Sequence, residues 1–230
     1  MSPGDLSKAL RLIDEAHAQD PNIVETKTST TPTSTALPAS SSPASGTMSI
    51  PYELHYARQM TSYLHLHVPT PSPKLQVAIR AQHFRRWEIP RSSYPEGKTG
   101  YLAWRTFLKK RQAEQVKEIC LQAGFEEGEA EGVAGLIRKD GLMQKKKDGG
   151  DDNNFAEVQI LEDVACLVFL KDQLEEFASQ EKGHDEQKIL RILRKTWAKM
   201  GSRGRELALK MEKEDGDGKV GELIRKALNG

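Results

Sequence analysis

Val164-Ala165-Cys166-Leu167-Val168-Phe169-Leu170 is the longest apolar run of the chain. It lies in the stretch Glu157 to Ala178, whose helical reading makes this run apolar on every side. A helix that is apolar all round is central and buried. The run is also far shorter than the roughly 18 apolar residues of a membrane span. The expectation is therefore a helical domain packed around residues 164–170.

Working outward, the same helical step recurs. Asp185 to Met200 places Ile189, Leu193, Trp197 and Met200 on one face and Lys188, Arg191, Lys195 and Lys199 on the other. Upstream, Glu126 to Lys139 carries Val133, Leu136 and Ile137. Tyr101 to Ala123 keeps the step through Trp104, Leu108, Val116, Ile119 and Cys120, and Gly124 closes it. Lys74 to Trp87 and Tyr52 to Leu66 read as two more helices, ended by Pro90 and by the Pro69 to Pro73 segment. Asp5 to Gln19 has the stripe Leu6, Ala9, Leu10, Ile13, Ala16 and stops at Asp20-Pro21. Alternating β-branched runs and fixed-period repeats are missing. The fold class expected is all-α, a compact multi-helix domain.

Composition divides the chain further. Thr26 to Ser49 is almost entirely Ser, Thr, Pro, Ala and Gly, and such a segment cannot bury a core. It reads as a flexible insertion at 26–49, between an N-terminal helix in 1–25 and a single helical domain in 50–230. Residues 145–154, charged and Gly-rich, read as a mobile loop. Of the 230 residues, 37% are hydrophobic and 29% charged, so one moderate core is possible. Two cysteines, Cys120 and Cys166, exclude a disulfide framework and a cysteine zinc cluster. No apolar secretory segment opens the chain. A cytoplasmic location and no membrane partner are expected.

Two apparent motifs fail on spacing. Gly97-Lys98-Thr99 resembles the end of a phosphate-binding loop, but Ser92 stands where the first glycine is required. Asp215-Gly216-Asp217-Gly218 resembles a calcium loop, but Lys219 takes the third ligand position.

Arg80 to Arg111 carries nine Lys or Arg residues against Glu88 and Glu96, a local balance of +7 in a chain whose total is +1. Trp87, Tyr94, Tyr101 and Trp104 are interleaved with the charges. Guanidinium groups form forked hydrogen bonds to phosphate or carboxylate oxygens, and aromatic faces cover flat ligand parts. The stretch is either a pocket for a phosphorylated or anionic small molecule, or a set of solvated and internally paired charges. Lys109-Lys110-Arg111 reads as the wet face of a long helix. The alternative is a nucleic-acid-binding or adaptor protein that uses this basic surface, and the near-neutral total charge weighs against nucleic acid.

The blocks Arg80-Ala-Gln-His-Phe-Arg-Arg-Trp-Glu-Ile-Pro-Arg91 and Gly100-Tyr-Leu-Ala-Trp-Arg105 resemble a family described only as domain of unknown function 4202. Leu136-Ile-Arg-Lys139, Leu161 to Leu170 and Ile192 to Met200 fit the same pattern. The order of blocks is also similar to helical HD-domain phosphohydrolases. That second resemblance implies an HD-domain-like fold with a divalent metal held by His55, His83 and Asp163. It makes His83 and Asp163 catalytic and assigns Arg85, Arg86, Arg91 and Lys139 to the ligand. The chain departs from the HD pattern at Phe84, where the paired Asp would stand. Losing that carboxylate removes an anionic metal ligand. Two expectations follow from the resemblance: a metal-dependent phosphohydrolase, or a degenerate form that only binds.

Overall fold

The structure, a computed structural model, describes residues 4–27, 47–140, 152–174, 186–214 and 219–229. The chain enters through α1 (Leu6–His17), where the Asp5 side chain accepts from the Lys8 amide at 2.9 Å. This contact satisfies one of the donors that a helix N-terminus leaves open. The antiparallel strands β1 (Ile23–Lys27) and β2 (Thr47–Pro51) follow, with Ile23 opposite Pro51 and Lys27 opposite Thr47. Next come α2 (Tyr52–His67), α3 (Pro73–Arg80), α4 (Gly97–Gln122) and α5 (Glu127–Arg138). After them lies α6 (Asp152–Val168), extended by a π-helical turn at Phe169–Gln173. The described chain closes with α7 (Glu186–Lys199), α8 (Ser202–Glu214) and α9 (Lys219–Asn229).

The architecture is thus mostly helical, with one two-stranded sheet among the described residues. That sheet corrects the expected extent of the insertion. Its flanks, at 26–27 and 47–49, are strand; the remainder, 28–46, lies outside the described residues. The strands show no alternating apolar pattern because neither face is buried: Ile23 and Met48 are both exposed. Backbone pairing holds them, together with a 2.7 Å bond from the Tyr52 amide to the Asn22 carbonyl. Most of the expected loop at 145–154, together with His184 and residues 215–218, also falls outside what is described.

Two adjoining cores explain why residues 164–170 are apolar all round. The first joins α1 to α6 through Ile13, Met60, Leu75, Phe84, Val116, Leu136, Val164 and Val168. The second joins the end of α6 to α7, α8 and α9 through Leu167, Leu170, Leu190, Leu193, Leu207 and Ile224. Neighbours Leu167 and Val168 point into different cores. Helices α8 and α9 add to the expected elements, and α9 buries the helically spaced Leu223, Ile224 and Ala227 in the second core. No helix is long and apolar enough to cross a membrane among the described residues.

The expected helix Lys74 to Trp87 ends instead at Arg80. Phe84 is buried as expected, but the backbone around it turns through left-handed conformations at His83 (φ 64°) and Arg85 (φ 48°). What holds that turn is central to the site below.

Val168 is fully buried. Replacing it with Asp places an uncompensated carboxylate between the cores, one of the severest single changes, at about 4 kcal/mol or more. Val168→Asp is expected to abolish cooperative thermal unfolding, read by circular dichroism.

Candidate functional site: two cavities around His83 and Arg86

The site is built on a buried carboxylate. Glu53, in the first turn of α2, is 2% exposed. Its Oε2 accepts from the Arg85 amide at 2.9 Å, and its Oε1 from the amides of Arg86 at 2.6 Å and Trp87 at 3.2 Å. In a continuing helix, the Arg85 amide would bond the carbonyl of Ala81. Glu53 takes that donor away, and α3 cannot propagate through the loop. Left-handed conformations cost a non-glycine residue roughly 1–3 kcal/mol each. Charge-assisted bonds to one carboxylate offset that cost. His17 of α1 braces the arrangement, with Nδ1 3.2 Å from Glu53 Oε2 and Nε2 3.0 Å from the Arg80 carbonyl. Asp20 accepts from the Glu53 amide at 2.9 Å.

The pinned loop sets two side chains. The ring of His83 stacks on Tyr56, with centroids 4.3 Å apart and planes 9° from parallel. Arg86 lies 4.8 Å above the Trp104 ring, and its NH1 donates to His83 Nε2 at 2.9 Å. Nε2 is therefore the acceptor, and the ring proton sits on Nδ1. Burial, then the positive charges of Arg86 and Lys139, hold His83 well below the usual imidazole range. His83 is neutral at pH 7, and its buried Nδ1–H has no protein partner.

His83, Arg86 and Trp104 border two cavities at once. The larger, about 1000 Å³, is also lined by β1, His55, Trp87, Arg91 and Asp172. The smaller, about 300 Å³, is lined by Arg105, Lys109, Gln112, Lys139, Glu162 and Lys199. Lys139 is ion-paired with Glu162. Arg86, Arg105, Lys109 and Lys199 have no acidic partner among the described residues. Burial, then repulsion from Lys139 and Arg105, lowers the Lys109 ammonium from its ordinary range. Burial pushes the Cys166 thiol up to about 12, so this wall residue carries no thiolate at neutral pH.

The residues singled out in the sequence divide accordingly. His55 faces the larger cavity, and burial followed by Arg58 lowers its pKa. Arg91 borders the same space, but its guanidinium donates at 2.8 Å to the carbonyls of both Tyr94 and Pro95. It organises the loop leading into α4. Arg85 belongs elsewhere: it lies 3.7 Å from Glu88 and lines a separate depression with Leu12, Glu15 and Gln115. Asp163 is held apart from His83. It accepts from His67 Nε2 at 2.9 Å, Gln159 Nε2 at 2.9 Å and the Gly201 amide at 2.7 Å. A Cβ on Gly204 would stand 2.6 Å from Asp163 Cγ, so α8 packs directly on this carboxylate. Among the described residues, no three His, Cys, Asp or Glu side chains are grouped to hold a metal ion. The expected His55–His83–Asp163 set is not assembled, because Asp163 is used to seat α8.

Other members of the site were missed. Glu53 carries no motif; only its burial reveals it. The charge run alone places Lys109 with Lys110 and Arg111 on a wet helical face. Instead Lys109 borders the smaller cavity, Lys110 is exposed, and Arg111 pairs with Glu88. Arg80 likewise has an internal role, clasping Asp14 at 2.6 and 2.8 Å.

The fold and site define a helical protein with a donor-rich cationic cavity beside a larger cleft. The chain belongs to the family described as Domain of unknown function (DUF4202), whose family model matches residues 7–220. Comparisons with curated proteins and with solved structures gave no match. The family resemblance of the motif blocks thus holds over nearly the whole chain, and no match extends it to HD-domain enzymes.

Two outcomes test this anatomy. Glu53→Gln turns one acceptor oxygen into a donor facing backbone amides. It should cost about 1–3 kcal/mol and speed hydrogen exchange at Arg86 and Trp87. Asp163 has its pKa opposed by burial but lowered on balance by its bonds from His67, Gly201 and Gln159. A depressed folded-state pKa gives stability that is complete above the unfolded value of about 3.9 and is lost as pH falls through the folded value. Asp163→Asn should therefore lower the melting temperature at pH 7 and flatten its acid dependence below pH 4.

Proposed function

We propose that the smaller cavity binds a phosphorylated or otherwise anionic small molecule. The observation carrying this reading is the convergence of Arg86, Arg105, Lys109 and Lys199 on one space whose lining carboxylate, Glu162, is ion-paired with Lys139. Cations gathered around one cavity repel one another, weakly at exposed Arg105 and Lys199 and more at half-buried Lys109, and an anion relieves that repulsion. Arg86 offers the fork suited to phosphate or carboxylate oxygens. Neutral His83 accepts from the Arg86 guanidinium and helps to orient it. The larger cavity, with His55 and Arg91 at its edge, leaves room for an attached organic part.

A hydrolytic version of this reading follows from the HD-domain resemblance. It would use a metal-activated water, with the arginines stabilising charge on the phosphoryl group. The binding version is favoured because Asp163 is committed to His67 and α8. A nucleic-acid surface is disfavoured because Arg80, Arg91 and Arg111 are engaged inside the fold. Arg80 to Arg111 therefore does not present its charge as one face.

A ligand that binds only the folded state raises its melting temperature. Inorganic phosphate and sulfate are expected to stabilise the protein in a thermal-shift titration. Arg86→Lys should weaken that binding roughly tenfold, since an ammonium cannot reproduce the guanidinium fork. Stabilisation by short RNA that disappears steeply with salt, and is indifferent to Arg86→Lys, would instead support the nucleic-acid reading.

A further inference from the structure

We infer that the preferred ligand of the smaller cavity is compact and carries at least two anionic groups, as a diphosphate or a small bisphosphate does. The inference rests on the anion-binding reading above and narrows it by charge, donor count and shape. Four cations without acidic partners surround about 300 Å³. A single phosphoryl group brings about −1.5 to −2 charges at pH 7 and three terminal oxygens. It would leave close to half of that positive charge uncompensated. The one carboxylate of the lining, Glu162, is already matched by Lys139.

Donors point the same way. The buried Nε2 of Gln112 and Nδ1 of His83 both lack protein partners, and both residues line this cavity. Buried donors left unsatisfied cost roughly 1–3 kcal/mol each. The four cations, two of them guanidinium forks, themselves call for more acceptor oxygens than one phosphate presents.

The aromatic walls argue against a flat organic ring as the feature read here. The Trp104 ring is covered by the Arg86 guanidinium at 4.8 Å, and the Tyr101 ring by Arg105 at 5.7 Å. Tyr56 is stacked on His83. These rings support the donors and are not free to sandwich a base. The smaller cavity therefore selects on anion count.

Isothermal titration of the full chain with phosphate and pyrophosphate tests this. Pyrophosphate is expected to bind roughly 30-fold more tightly than phosphate. Lys109→Gln should reduce pyrophosphate affinity about tenfold and phosphate affinity less than threefold. Lys199→Gln, on the exposed end of α7, provides the same comparison should the first variant fold poorly. Equal affinities for the two anions would overturn the inference and leave the anion site standing. Binding of neither anion would overturn both.

Discussion

Glu53 meeting the amides of Arg85, Arg86 and Trp87 is the contact on which the site depends. A carboxylate removed from water costs several kcal/mol unless its oxygens are fully hydrogen-bonded. Here three backbone amides and the His17 ring meet both oxygens. The exchange works in both directions. The carboxylate becomes tolerable inside the protein, and a loop with two left-handed residues becomes the stable continuation of α3. Because His17 and Asp20 also touch Glu53 or its amide, the first helix is part of this brace. The N-terminal segment thus helps shape the cavities although the Ser/Thr-rich stretch separates it from the domain in sequence.

The basic residues fall into two groups once their partners are known. Arg80 grips Asp14, Arg111 pairs with Glu88, Lys139 with Glu162, and Arg91 ties down carbonyls. These hold elements together. Arg86, Arg105, Lys109 and Lys199 instead converge from the α3–α4 loop, α4 and α7 on a cavity whose lining carboxylate, Glu162, is taken by Lys139. Like charges brought close together repel, and functional sites are where such local costs accumulate. Near-neutral total charge does not conflict with a strongly cationic pocket, because the neutralising acids lie elsewhere.

Asp163 shows how a carboxylate in a suggestive place can be structural. It stands immediately before the apolar run and receives three hydrogen bonds, one from His67 at the end of α2 and one from Gly201 before α8. The close approach of Gly204 leaves no space there for a larger residue. This contact joins the second core to the first, and it accounts for the residue without any chemistry.

Much of the fold was legible in sequence. Helical periodicity marked α1, α2, α4, α5 and α7, and an apolar run without a polar side marked α6 as central. The Arg80 to Arg111 segment stood out by charge, and His83 and Arg86 within it do border the site. Periodicity records which face of a helix is buried, because burial repeats with the turn. It holds no record of what that face meets. The left-handed loop arises from a carboxylate more than thirty residues away, and the strands arise from backbone pairing without an apolar pattern. Whether an arginine is a brace or a free donor depends on acids distant in the chain. Charge attraction acts through space, so composition and spacing determined the helices and the basic segment, while only tertiary proximity decided which charges remain unpaired.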